Sequence, residues 1–94
     1  MDEFMKEAIL EAFDGIGLRA GGPFGAVIVK DNKVIARGHN RVIETKDPTA
    51  HAEIVAIRDA TKLLGRFDLS DCILYTNQIV FMSPVKNDRA YFFA

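Results

Sequence analysis

Two residues in the stretch DPTAHAEIVAIRDA, residues 47–60, bear the chemistry open to this chain. His51 offers an imidazole that can hold a metal ion. Glu53, two positions on, offers a carboxylate that can take up and release protons over a bound water. Both stand at the start of an apolar-striped segment, where the backbone N–H groups of a helix favour negative charge. Residues two apart on a helix point about 200° apart. Glu53 is therefore expected to be a general acid/base and not a second ligand on the face of His51. Taken alone, the bare spacing better fits a partly buried histidine beside a solvent-facing glutamate.

A metal centre needs more ligands, and few residues can supply them. Cys72 is the single cysteine, so neither an internal disulfide nor a Cys-x-x-Cys site can form. His39 is the other histidine. Asp71 and Asp88 are conceivable oxygen ligands, but their spacing does not point to zinc.

The elements that must position these residues are legible in outline. Residues 2 to about 14 read as a helix capped by Asp2, with Phe4, Met5, Ala8, Ile9, Ala12 and Phe13 on one apolar face and Gly15 and Gly17 at its end. Gly21, Gly22 and Pro23 make a loop. FGAVIVK then reads as a strand, its Val27–Val29 run suited to a sheet buried on both faces. Asp31-Asn32 is a short turn into a returning strand, KVIARGHNRV, in which Gly38 suggests a bulge or a close backbone approach. Asp47 and Pro48 break the chain. Thr49 is the expected N-cap of a second helix with Ile54, Val55, Ile57, Ala60 and Leu64 inward, and Gly65 stops it. CILYT and the terminal RAYFFA read as strands. An opening hairpin followed by alternating helices and strands predicts one α/β domain over residues 1–94, a helix–sheet sandwich with a mixed sheet.

Composition excludes several classes. The chain has 94 residues, 49% hydrophobic and 27% charged, which is the balance of a single globular domain. Its formal net charge of -1 gives no footprint for a phosphate backbone, so duplex nucleic acid is not an expected partner. No apolar run approaches the roughly 20 residues of a membrane span. Asp2 and Glu3 are unlike a signal peptide, and one cysteine suits the cytoplasm.

GGPFGAVIVKDNKVIARGHNRV, DPTAHAEIVAIRDA and LSDCILYT, in that order, resemble the zinc-dependent cytidine deaminase-like superfamily, above all its small nucleobase and nucleoside deaminases of the bacterial guanine deaminase type. The resemblance covers about residues 4–76. It implies a cytidine deaminase-like fold, a small-molecule base or nucleoside as substrate with guanine leading, a zinc cofactor and a homodimer. It also implies roles: His51 as the histidine zinc ligand, Glu53 as the proton shuttle, and Phe24, Asn40 and Ala52 beside the bound base. On their own, Asn40 reads as a turn cap and Phe24 as a core residue.

The resemblance breaks after CILYT, where the family has Pro-Cys-x-x-Cys at a helix start and this chain has NQIVFMSPVKND. Two of three zinc ligands are missing, which implies that the chain as it stands is inactive. The alternative role is a non-catalytic remnant or fragment that acts as a scaffold, dimerises or binds a base weakly. The family also puts a full helix before a following parallel strand. Pro84, Ile79 and Val80 oppose one here. A shortened homologue, a fragment and an incomplete sequence all fit this truncated pattern. The aromatics of RAYFFA are expected to be covered by pairing between copies through the last strand.

Overall fold

The computed structural model describes residues 3–77 and the backbone of residues 90–92. Its elements are α1 (Glu3–Gly17), β1 (Gly25–Lys30), β2 (Lys33–His39), α2 (Val42–Thr45), α3 (Ala52–Leu64), β3 (Ile73–Thr76) and β4 (Ala90–Phe92). The sheet order is β2-β1-β3-β4. β1 is central and buried on both faces, as the Val27–Val29 run predicts. Alternate side chains sort the two layers. Val27 and Val29 pack with Met5 and Ala8 of α1, whereas Ala26 and Ile28 pack with Ala52, Ala56 and Ala60 of α3. The result is helix, sheet, helix.

The sheet is not mixed in its pairings. β1–β2, β1–β3 and β3–β4 are all antiparallel. β2 and β3 do run parallel, joined through α3, but β1 lies between them. A parallel neighbour after β3 would need a crossover of a dozen or more residues, normally carrying a helix, and residues 77–89, the whole connection to β4, stand at that lower limit. The expectations for Asp2, for Ile79, Val80 and Pro84, for Asp88 and for the terminal aromatic side chains lie outside the described residues. β4 is the outer strand of the described sheet.

Short-range chemistry sets the turns. Asp31 and Asn32 both take positive φ, 51° and 63°, which matches the twist of a two-residue hairpin. The irregularity in β2 sits at Ile35, which is skipped between Val34 and Ala36 in the register with β1. Gly38 serves instead for close approach, since a Cβ there would lie 2.5 Å from the Ala52 carbonyl oxygen and 2.6 Å from the Ala56 nitrogen. That approach explains why alanines line the inner face of α3, while Ile54, Val55 and Ile57 are only half-buried. α1 likewise buries Met5, Ala8, Ala12 and Gly15 and leaves Phe13 64% exposed, contrary to its expected place on the inner face.

α1 also runs past Gly15 to Gly17. It ends in a left-handed cap at Arg19, with Ala20 N–H donating to the Gly15 carbonyl and Arg19 N–H to that of Ile16. α3 stops at Gly65, φ 68°, as expected.

Candidate functional site

The site is built where β2 hands over to α3. β2 ends at His39 because Asn40 turns the chain: its Oδ1 accepts the Val42 N–H at 3.0 Å. The short α2 follows, taking Val42, the last residue of the stretch expected to be strand. Asn40 is 8% exposed, and its side chain lies against Gly21, where any Cβ would overlap it. Asn40 N–H donates to the Phe24 carbonyl at 3.1 Å, and Arg41 N–H donates to Ala50 at 2.9 Å. These two bonds tie the Phe24 loop, the end of β2 and the start of α3 into one surface. Phe24 is half-buried against the apolar cluster that contains Ala52, which is fully buried.

Thr49 does not cap α3. Its N–H and hydroxyl both donate to Asp47 Oδ1, at 2.9 and 2.7 Å. The N-cap is His51, with extended backbone (φ -69°, ψ 156°) and no side-chain cap bond. This overturns the angular argument about Glu53, because helical spacing applies only inside a helix and His51 is outside it. His51 Nδ1 lies 3.5 Å from Glu53 Oε1. His51 is half-exposed, whereas Glu53 is 6% exposed and not solvent-facing. Glu53 Oε2 is buried with no hydrogen-bond partner among the described residues. A buried carboxylate oxygen left without a donor costs about 1–3 kcal/mol, so a bound water or ligand donor is its natural partner.

The Asp47–Thr49 turn makes one part of the site's framework pH-dependent. The Thr49 hydroxyl, then its backbone N–H, hold Asp47 below the usual carboxylate range. A carboxylate lowered in the folded state stabilises above its unfolded pKa of about 3.9, and that contribution disappears as pH falls through the folded value. Thermal unfolding should therefore show wild type more stable than Asp47→Ala at pH 6, with the gap closing below about pH 4. A gap that is constant down to pH 3 contradicts this assignment.

The other potential ligands are engaged elsewhere. His39 Nδ1 is 2.7 Å from Glu11 Oε2, bridging β2 to α1. Asp71 is paired with Arg66 at 2.8 Å, which lowers its pKa. Cys72 is buried among the residues packed under α3, and its Sγ donates to Asp71 Oδ1 at 3.4 Å. Burial, then that bond, raises the thiol pKa, the opposite of what a thiolate ligand needs. Among the described residues, no three His, Cys, Asp or Glu side chains are grouped to hold a metal ion. The donor set that the described residues place around His51 does not fit a zinc centre, which takes at least three protein ligands.

Sequence reasoning missed Asn77. Its Oδ1 accepts Gly25 N–H at 2.8 Å and its Nδ2 donates to the Pro23 carbonyl at 3.1 Å. Partners 52 and 54 positions away leave no local pattern to read.

A helix–sheet–helix domain that sets a His-x-Glu pair at the start of its second long helix has the architecture of the cytidine deaminase-like proteins. The chain belongs to the cytidine and deoxycytidylate deaminase zinc-binding family, whose profile matches residues 1–85. It is 55% identical over 76 residues to guanine deaminase of Bacillus subtilis, covering 81% of this chain and 49% of that protein. The crystal structure of that deaminase superposes with a TM-score of 0.77 at 54% identity, over 82% of this chain and 50% of that one. A tRNA-specific adenosine deaminase of Aquifex aeolicus is 44% identical over 72 residues, covering 77% of this chain and 47% of its own length. The chain thus spans about half the length of these relatives. Among the described residues, no helix is long and apolar enough to cross a membrane.

Proposed function

We propose that this chain carries the base-facing and proton-transferring part of a guanine-type deaminase site without the metal-binding part. It binds a purine base weakly, with guanine the leading ligand, and does not hydrolyse it. The buried Oε2 of Glu53, without a partner among the described residues, is the observation that carries this reading. A carboxylate in that state takes N–H donors, and guanine offers two on one edge, N1–H and its amino group. The amide nitrogen of Asn40, whose Oδ1 already accepts the Val42 N–H, suits a base acceptor, and the Phe24 ring suits a base face.

In the family, a zinc-bound water supplies the nucleophile. With the donor set found here, Glu53 can hold and move a proton but has no lowered-pKa water to draw on. General acid–base help alone is worth about 10²–10⁴-fold, far short of hydrolytic deamination. Relatives named for tRNA raise RNA as a second substrate class. A net charge of -1 favours the free base. A cytoplasmic setting suits the single-cysteine composition.

Glu53→Met tests the assignment through stability and binding together. Removing the orphaned oxygen while keeping the side-chain volume should raise stability by about 1 kcal/mol, which moves Tm up by roughly 4–8 °C in a domain of this size. Guanine binding should be lost. A lower Tm, or unchanged guanine binding, would show that Glu53 is an ordinary structural residue.

A further inference from the structure

β3 leaves the sheet at Asn77, and the manner of its leaving is unusual. Asn77 N–H reaches the Gly25 carbonyl at 3.4 Å, which continues the β1–β3 ladder by one residue. In an antiparallel hydrogen-bonded pair the reciprocal bond would run from Gly25 N–H to the Asn77 backbone carbonyl. Here the Asn77 side chain takes its place, with Oδ1 2.8 Å from Gly25 N. The backbone is thereby released while Gly25 keeps an acceptor. The amide's other end donates to Pro23 at 3.1 Å, so both partners fix which way it points. Thr76 Oγ1 adds a buried 2.9 Å bond to the Gly25 carbonyl.

Phe24 lies between the two residues that Asn77 grips. Its own carbonyl is held by Asn40 N–H. The loop that carries the Phe24 ring is thus fastened from the β3 side by Asn77 and from the β2 side by Asn40. We propose that Asn77 is a positioning residue that sets Phe24, and through it the base-facing wall of the site. The role rests on the base-binding reading above, and Asn77 is itself exposed.

Isotope-labelled wild type, Asn77→Ala and Asn77→Asp test this by nuclear magnetic resonance with guanine as the probe. In Asn77→Ala the Gly25 amide should exchange at least about tenfold faster, the Phe24 ring resonances should shift, and the guanine Kd should rise about tenfold, the scale of one lost hydrogen bond. Asn77→Asp retains the acceptor, so it should restore Gly25 protection and recover part of the affinity. Unchanged Gly25 exchange and Phe24 resonances in Asn77→Ala overturn the proposal. So does an unchanged guanine Kd once Gly25 has been freed. If wild type itself shows no response to guanine, the base-binding reading fails, and the Gly25 and Phe24 signals still decide whether Asn77 sets the loop.

Discussion

Gly25→Ala is expected to cost at least about 3 kcal/mol and leave much of the protein unfolded. Gly25 starts the central strand and lies beneath α1. A Cβ there would overlap the Ala8 carbonyl oxygen and come within 2.5 Å of the Ala12 nitrogen. Both are backbone atoms of a helix, so no rotamer change relieves the clash, and α1 must lift off Val27 and Val29. A small domain has a margin of about 5–15 kcal/mol, so one such displacement is a large share of it. Gly17→Ala is the control. Nothing lies within 4 Å of its added Cβ, and alanine is the better helix former, so this change should be neutral or stabilise slightly. Urea unfolding of the two variants separates them, and a Gly25→Ala protein within about 0.5 kcal/mol of wild type would show that α1 does not press on β1 as described.

The second large effect concerns zinc. Protein dialysed against metal-free buffer should retain far less than one zinc per chain. Structural zinc sites reach about 10–16 kcal/mol only through a full set of deprotonated ligands. His51 offers one imidazole, Glu53 has a single oxygen near it, and the raised thiol of Cys72 is bound to Asp71. Elemental analysis that finds one zinc per chain after dialysis would mean that ligands reach His51 from a second copy or from the residues beyond Asn77. The same result would reopen hydrolysis, because a metal-bound water reaches a pKa near 7 and Glu53 already stands beside His51.

The features legible in the sequence were those decided locally. The apolar run Val27–Val29 needs cover on both faces whatever its partners are, and it has that cover. Asp31-Asn32 and Gly65 take the left-handed backbone their types favour. The backbone at Asn40 is joined to that at Phe24, and Arg41 to Ala50 beside His51. Features set by distant partners were not legible. The inward face of α3 is alanine because Gly38 draws the helix close, which no helical periodicity reveals. Thr49 is claimed by Asp47 before it can cap the helix, so His51 becomes the cap and swings toward Glu53. Asn77 answers to a strand start half a chain away.

One nuclear magnetic resonance sample decides whether these residues bind a base without converting it: labelled protein with guanine and added zinc, followed over hours. Guanine-dependent shifts are expected only at Phe24, Asn40, Ala52, Glu53 and their neighbours, while the base's own H8 signal stays that of guanine. Conversion of that signal to xanthine, abolished by Glu53→Gln, would show that the chain is a working deaminase and that its metal site is complete. Absence of any guanine-dependent shift would remove the base-binding role from these residues.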